Sequence, residues 1–303
     1  HPYMILGLPI AGIVIVTLYK ICKFENDKGT NLMLSTIHGE TEIPLRMAPL
    51  IFISTLLTHL FGGSAGREGA ALQLGGSIGN QLGRWFKLND EDTRMIVMCG
   101  MSACFSALFG TPIAATFFAM EVVSVGIMYY AALVPCVFSS LIAVEIARYY
   151  GIRSEAMLIS YVPEFTMRNT GKIVLISILC AALSILFCIA MHAASKYTKK
   201  WVPNAYVRIF IFGILIVAIQ FLTGSTDYMG AGMEVIERAM HGEVNPEAFI
   251  LKILLTAITL GVGYKGGEIV PSFFVGATFG CLLGQLLGIS PSMCAAIGMI
   301  AIF

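Results

Sequence analysis

Long apolar stretches separated by short polar connectors are the feature that most constrains how this chain can fold. A helix needs roughly 20 apolar residues to cross the hydrocarbon core of a bilayer, and several stretches approach that length with few charges inside them. These stretches are residues 3–22, 48–63, 95–109, 113–130, 133–147, 173–193, 207–222 and 249–262. The sequence therefore predicts an all-α protein that crosses the membrane several times.

The composition points to the same class. Charged residues make up 12% of the 303 residues and the mean hydropathy is +0.83, whereas a soluble domain carries about 25% charged residues. The formal net charge of +1 gives no indication of nucleic-acid binding, and the sequence has no nucleotide motif. The eight cysteines stand in apolar runs without Cys-x-x-Cys or Cys/His spacing, which indicates buried apolar side chains. We therefore expect no metal, no cofactor, no nucleotide and no nucleic-acid partner.

Other apolar stretches are too short, or too interrupted by glycine, for an ordinary crossing: residues 70–82, 271–287 and 295–303. Two of them overlap glycine-rich sequences, GREGAALQLGGSIGNQLG and GGEIVPSFFVGATFGCLLGQLLG. Aligning Glu68 with Glu268 places Gly76 on Gly276 without a gap. Short, glycine-interrupted helices at matching positions of two halves point to the binding site of a transporter. The sequence therefore predicts one transmembrane domain with two halves, residues 1–150 and 171–303.

The glycine clusters have a chemical consequence. Glycine lets the backbone turn sharply into a helix whose first N–H groups have no partner within the helix. With the helix dipole, these groups form a site for a small anion, which is tolerated at membrane depth inside the protein or along a cavity. Glu68 can mimic the anion when ionised and swing away when protonated, so it is the candidate gate and proton carrier. A structural ion pair of Arg67 with Glu68, and a water-facing turn at Glu268, are the alternatives.

These motifs resemble the CLC family of anion channels and proton-coupled antiporters. The sequence GREG at residues 66–69 matches the GREGP motif of the family, and GGEIVP stands where the family has a GGIFAP-like motif. The segment FGTPIAATFFAMEVV resembles the turn that leads into the acidic helix of the family. The resemblance covers essentially the whole chain. It implies the CLC inverted repeat, with broken half-helices that meet at the bilayer midplane, and a homodimer in the lipid bilayer.

Departures from the chloride-type pattern are equally specific. The proline of GREGP is Ala70, and the loop that carries GSGIP in chloride-type members reads KGTNLML. Val122 stands where proton-coupled chloride antiporters have a second, internal glutamate, and Glu268 stands where they usually have an apolar residue. Together these departures resemble the fluoride/proton antiporter branch, the CLC-F proteins.

The resemblance to that branch implies fluoride/proton exchange, with Glu68 as the gating and proton-transferring carboxylate. The alternative is a chloride channel or a chloride/proton antiporter, and an intramembrane enzyme is disfavoured because no metal-ligand or nucleophile–base spacing is present. We expect a multi-pass protein of a bacterial-type cell membrane and, because the chain begins at His1 and ends in an apolar run, a piece of a longer protein. The implied ion-binding residues are Gly29, Thr30, Asn31, Gly66, Arg67, Gly69, Glu268, Ile269, Val270 and Phe273.

Overall fold

The computed structural model describes residues 2–24, 44–122, 128–152, 157–159 and 161–303. The described residues form α-helices and short 3-10 helices, and no strand beyond a single isolated bridge. The predicted all-α class is confirmed. In chain order the α-helices are α1 Leu8–Ile21, α2 Met47–Leu60, α3 Glu68–Trp85, α4 Asp90–Phe109, α5 Pro112–Glu121, α6 Leu133–Tyr149, α7 Met167–Trp201, α8 Ala205–Thr223, α9 Met233–Met240, α10 Ala248–Val262, α11 Ile269–Leu287 and α12 Pro291–Ile302.

Most of the predicted crossings are present as helices. Within the described residues, 6 helical segments are long and apolar enough to cross a membrane. They are Tyr3–Ile21, Asp90–Phe109, Tyr130–Tyr149, Met167–Trp201, Ala205–Thr223 and Ile269–Leu287. The number and hydropathy of these segments are those of a multi-pass membrane protein.

Two predicted segments differ from the structure in length. The crossing predicted at 113–130 is wrong in its extent, because α5 ends at Glu121 and a separate 3-10 helix begins at Tyr130. Val122 is the C-cap residue at this end of α5, and β-branched valine has a low helix propensity. Helix α7 has 35 residues and extends well beyond the predicted 173–193, because its polar ends also favour a helix although they add nothing to the hydropathy.

The chain forms two compact units. In the first unit α11 packs against α12, and α7 packs against α10; in the second unit α4 packs against α3, α5 and α6. The predicted halves of the sequence, 1–150 and 171–303, stay a prediction. The first unit contains residues 1–17, 56–67 and 157–303, and the second contains residues 18–55 and 68–156.

Local sequence signals determine several helix ends. Helix α4 begins after Asn89, whose side chain accepts a hydrogen bond of 2.8 Å from the N–H of Asp92. It ends at Gly110, where the backbone is left-handed with a φ of 70°. Such caps satisfy helix-end groups that have no intrahelical partner, so the long apolar helices begin and end at defined residues.

Glycine allows very close helix packing in each unit. A Cβ atom on Gly75 of α3 would lie 2.1 Å from the carbonyl oxygen of Gly100 in α4. In the other unit, a Cβ atom on Gly276 of α11 would lie 2.3 Å from the carbonyl oxygen of Gly298 in α12. Small residues that let backbones touch are typical of helix pairs in membranes. The pairs α3–α4 and α11–α12 are therefore built in the same way.

Candidate functional site

The segments that enter α3 and α11 are joined by a backbone bridge. The N–H of Gly66 donates to the carbonyl of Gly267 at 2.7 Å, and the N–H of Gly267 donates to the carbonyl of Gly66 at 2.6 Å. Both glycines belong to the first unit. Non-helical backbone at membrane depth must satisfy its polar groups within the protein, and these two residues satisfy each other. The bridge therefore fixes the backbone immediately before each helix start.

The bridge corrects the predicted alignment of the two motifs by one residue. The sequence aligns Glu68 with Glu268. In the structure, each bridging glycine is followed by one non-helical charged residue and then by the first residue of a helix, which is Glu68 in α3 and Ile269 in α11. The counterpart of Glu68 is therefore Ile269, and the counterpart of Glu268 is Arg67. The second motif has no carboxylate at the first helical position.

The glycine contacts follow the corrected register. Gly75 and Gly276 occupy matching positions, since each lies against a backbone carbonyl of the next helix. The sequence alignment chose Gly76 instead because two glycines stand side by side there. Adjacent glycines make alignments that differ by one residue look equally good, and contacts across the helix pair are needed to choose between them.

Glu68 is fully buried, with 0% of its surface exposed, in the first turn of α3. A negative charge at this end of a helix is stabilised by the helix dipole and by the N–H groups of the first turn. Gly69 and Ala70, which follow in the same turn, are also buried. A carboxylate held in this way inside a membrane protein is a functional candidate by default.

Arg67 and Glu268 occupy matching positions, and both side chains are exposed. The side chain of Glu68 is buried and that of Arg67 is not, and the structural alternative for this pair stays a prediction. Glu268 is the N-cap residue of α11, and its side chain makes no capping hydrogen bond in the described structure. The two positions thus present charges of opposite sign just before the two helix starts.

The first turn of α11 supplies few amide donors. Pro271 has no N–H, and the N–H of Ser272 already donates to the carbonyl of Glu268 at 3.0 Å. The N–H groups of Ile269 and Val270 are left as the donors of this helix end. Phe273, one turn on, is half-buried, and its ring lies 5.4 Å from the ring of Phe303 in an edge-to-face arrangement.

Residues 62–66, which lead into the bridge, are held in place by other parts of the first unit. Gly62 has a φ of 74°, a left-handed conformation that favours glycine, so the turn itself depends on this residue. The contacts are Gln220 Nε2 to the Gly62 carbonyl at 3.2 Å, the Gly230 N–H to the Gly63 carbonyl at 3.1 Å, and Ser64 Oγ to Thr256 Oγ1 at 3.0 Å. The approach to the helix start is therefore preorganised by the backbone fold.

Lys252 of α10 is a buried cation that the sequence analysis missed. Its side chain is 0% exposed, and its Nζ donates to the carbonyls of Gly230 at 2.7 Å and Tyr228 at 3.3 Å. The ammonium also lies 4.9 Å from the centre of the Phe274 ring, close enough for a cation–π interaction. The signal was a single lysine within the apolar run 249–262. The N–H of Gly230 also donates to the carbonyl of Gly63, so Lys252 supports the turn at residues 62–66.

The structure describes Val122 but not the predicted site residues of the loop at 29–31. Gly29, Thr30 and Asn31 lie outside the described residues. Val122 is the C-cap residue of α5 and is half-buried. The position compared above with the internal glutamate therefore holds an apolar side chain, which cannot bind or release a proton. In the described part of the chain, no group of three or more His, Cys, Asp or Glu side chains could hold a metal ion.

Comparison with known proteins places the chain in a class and then in a family. Its apolar helices and glycine-led helix starts are those of a multi-pass helical transport protein. A family model described as "Voltage gated chloride channel" matches residues 10–303. The chain therefore belongs to the CLC family.

Relatives within the family carry both chloride and fluoride in their names. A "Chloride/fluoride channel protein" of Pseudomonas syringae pv. tomato is 36% identical over 310 residues, covering 100% of this chain and 69% of that protein. An "H(+)/Cl(-) exchange transporter ClcA" of Vibrio cholerae is 26% identical over 288 residues, covering 85% of this chain and 60% of that protein.

Solved structures agree with this assignment. The crystal structure of a CLC-type fluoride/proton antiporter superposes with a TM-score of 0.94 and 33% sequence identity, covering 99% of this chain and 76% of that one. A slow cyanobacterial Cl−/H+ antiporter superposes with a TM-score of 0.80 at 21% identity, covering 97% of this chain and 72% of that one. The second match supports the fold alone.

Proposed function

We propose that the protein is a proton-coupled fluoride exporter, in which Glu68 is both the gate and the proton carrier. The observation that carries the proposal is the position of Glu68, fully buried at the first residue of α3 and two residues after the bridged Gly66. The relative named for chloride and fluoride, and the solved fluoride/proton antiporter, support the choice of transported ions.

The exchange follows from the electrostatics of the helix start. When Glu68 is ionised, its carboxylate occupies the partial positive charge at the N-terminus of α3 and excludes a competing anion. When Glu68 takes up a proton, that attraction is lost, and fluoride can bind to the same N–H groups. Loss of the proton on the other side restores the carboxylate. Fluoride movement in one direction is thereby tied to proton movement in the other.

The departures from the chloride-type pattern suit fluoride. Fluoride is small and strongly hydrated, so a site must replace water with dense hydrogen-bond donors. Ala70 keeps an N–H group in the first turn of α3 that a proline would remove, and Thr30 and Asn31 would add side-chain donors. We propose that the remaining site residues are Gly29, Gly66, Arg67, Gly69, Glu268, Ile269, Val270 and Phe273.

Fluoride efflux from liposomes containing the full-length protein tests the proposal. An imposed proton gradient should drive fluoride uphill, and Glu68→Gln, which cannot ionise, should abolish that coupling while fluoride still leaks down its gradient. Glu145→Gln is the matched control, because this exposed carboxylate pairs with Arg148 on the surface of α6 and should leave coupling intact. Chloride exchange as fast as fluoride exchange would instead assign the protein to the chloride alternative.

We propose further that the protein works as a homodimer in the lipid bilayer of a bacterial-type cell membrane, as a transporter and not as an enzyme. Helix α6 supports a partner surface, since it exposes a row of apolar side chains that includes Val134, Phe138 and Ile142. A face of this kind contacts lipid or a second copy. Photobleaching of single labelled proteins in liposomes should show two steps, and one step would refute the dimer.

A further inference from the structure

The C-terminal end of α7 carries three lysines on one side of the helix. Lys196, Lys199 and Lys200 are exposed in its last turns, and residues three or four apart lie on the same face of a helix. Within the part of the chain that the structure describes, none of the three ammonium groups has an ion-pair or hydrogen-bond partner. These residues, here called the basic end of α7, are therefore available to an anionic partner.

No acidic residue stands near the basic end of α7 in the sequence. Of the 18 aspartates and glutamates, none lies in residues 165–226, a stretch that contains six lysines and arginines. The region where α3 meets α4 also exposes three cations, but an acidic run at residues 90–92 balances their charge; these cations are Arg84, Lys87 and Arg94. The basic end of α7 thus has a local excess of positive charge that the other region lacks.

The length of α7 places its basic end at the depth of lipid headgroups. The helix has 35 residues, or about 52 Å in length, whereas the hydrocarbon core of a bilayer is about 30 Å thick. The apolar residues 173–193 span about 30 Å and fit that core. Lys196 follows this segment by about 4.5 Å and Lys200 by about 10 Å, and the headgroup layer on each side is roughly 5–8 Å thick. Because lysine side chains are long and flexible, all three ammonium groups can reach lipid phosphates.

Two aromatic side chains mark the same level of the helix. Tyr197 and Trp201 are 47% and 69% exposed, and their ring centres lie 5.9 Å apart. Tyrosine and tryptophan are enriched where hydrocarbon meets water, because one end of each side chain is apolar and the other is polar. The last turns of α7 are therefore adapted to the membrane interface by a feature that is independent of charge.

The basic end of α7 is attached to the segment that leads to the Gly66–Gly267 bridge. Thr198 lies on the opposite side of the helix from Lys196, is buried, and donates to the carbonyl of Gly261 in α10 at 3.3 Å. A Cβ atom on Gly261 would lie 3.0 Å from the backbone nitrogen of Ser195. Both helices belong to the first unit, so a partner bound to the basic end of α7 also stabilises the end of α10.

We infer that the basic end of α7 binds the headgroup of an anionic phospholipid. The lipid phosphate lies between the lysines, and the acyl chains lie along Ile178, Ile185 and Ile189, which are exposed on the same side of α7 as Lys196. Phospholipid is the partner that this surface fits, because positive charge, interfacial aromatic residues and headgroup depth occur together. The inference goes beyond the proposed function and does not depend on the transported ion.

Native mass spectrometry of the full-length protein in detergent tests the inference. Phosphatidylglycerol and phosphatidylcholine with identical acyl chains are titrated into the wild type and into the triple variant Lys196→Gln, Lys199→Gln and Lys200→Gln. Each lysine near an anionic membrane surface strengthens the attraction about fivefold. We therefore expect the wild type to bind phosphatidylglycerol about tenfold or more tightly than phosphatidylcholine, and the triple variant to lose that preference.

Two further triple variants serve as controls. Arginine at the same three positions keeps the positive charge and should keep the preference for phosphatidylglycerol. The matched variant Arg84→Gln, Lys87→Gln and Arg94→Gln removes the same amount of charge from the region where α3 meets α4, and it should also keep the preference. Thermal unfolding of the same samples shows that each variant is folded, and phosphatidylglycerol should raise the unfolding midpoint of every variant except the one with glutamine on α7.

Four outcomes would overturn the inference. Equal binding of the two lipids by the wild type would show that no site for an anionic headgroup exists. An equal loss of preference in the matched variant would assign the attraction to the charge of the whole protein. A loss of preference in the arginine variant would assign the lysines to structure. Displacement of phosphatidylglycerol by inorganic phosphate at the same concentration would show that the site binds free phosphate and not a lipid.

Discussion

Replacing Gly75 with alanine tests the close packing that both helix pairs share. The new methyl carbon would lie 2.1 Å from the carbonyl oxygen of Gly100 and 2.6 Å from its carbonyl carbon. To reach an ordinary contact of about 3.4 Å from 2.1 Å, α3 and α4 would have to move apart by about 1.3 Å. Because the opposing atoms belong to the backbone, no flexible side chain can move aside.

The expected cost is large for a single methyl group. Overpacking a well-packed interior typically costs about 1–3 kcal/mol, and occasionally more. Alanine gains about 1 kcal/mol over glycine in a helix interior, which offsets only part of the cost. The difference is a net loss of about 0–2 kcal/mol, which for a chain of this size lowers the midpoint of unfolding by up to roughly 8 °C. The assay is thermal unfolding of the purified protein, followed by its size-exclusion profile in detergent.

Gly171→Ala provides the matched control. Gly171 also lies within a helix, α7, but a Cβ atom there would meet nothing within 4 Å. This variant should therefore be as stable as the wild type or slightly more stable, by the gain in helix propensity alone. If Gly75→Ala unfolds at the same temperature as Gly171→Ala, then α3 and α4 do not pack backbone to backbone, and the explanation of the shared glycines is wrong.

Three further variants probe the supports of the first unit by the same assay. Lys252→Met leaves two carbonyls without their buried donor, at a cost of about 1–3 kcal/mol each, and should lower both the unfolding temperature and fluoride flux; an unchanged flux would contradict its role in holding the turn. Tyr264→Phe removes a hydroxyl that donates to the carbonyl of Leu8 at 2.9 Å, so a loss of about 1 kcal/mol is expected. Arg238→Ala breaks a partly exposed pair with Asp227 of 2.6 Å and should cost less than about 1 kcal/mol.

Sequence reasoning predicted what depends on local composition. Apolar runs located the long helices because hydropathy reports directly on the segments that a bilayer can hold. The glycine clusters located both helix starts, since glycine, a charged residue and a small-residue helix follow each other in a fixed order.

Features that depend on distant contacts were beyond the sequence. The bridge of Gly66 with Gly267 joins residues far apart in the chain, and without it the register of the two motifs was one residue wrong. The carbonyl partners of Lys252 come from a polar connector whose path the sequence does not define. Gln73 and Ser77 stand within the stretch 70–82 and are buried, and one sequence does not show which polar side chains of a helix are buried.

The corrected register leads to a prediction of opposite sign for two charged residues. Glu268 and Arg67 each stand one residue before a helix start, where an exposed charge interacts with the helix end by about 0.3–1 kcal/mol. An ionised Glu268 repels an anion at the N–H groups of Ile269 and Val270, so Glu268→Gln should tighten fluoride binding about two- to fivefold. Arg67→Gln should weaken binding by a similar factor. Isothermal titration of fluoride at low ionic strength measures both effects, and high salt should reduce them. Weaker binding in Glu268→Gln would show instead that this carboxyl group is itself a fluoride ligand, holding a proton that it donates to the ion.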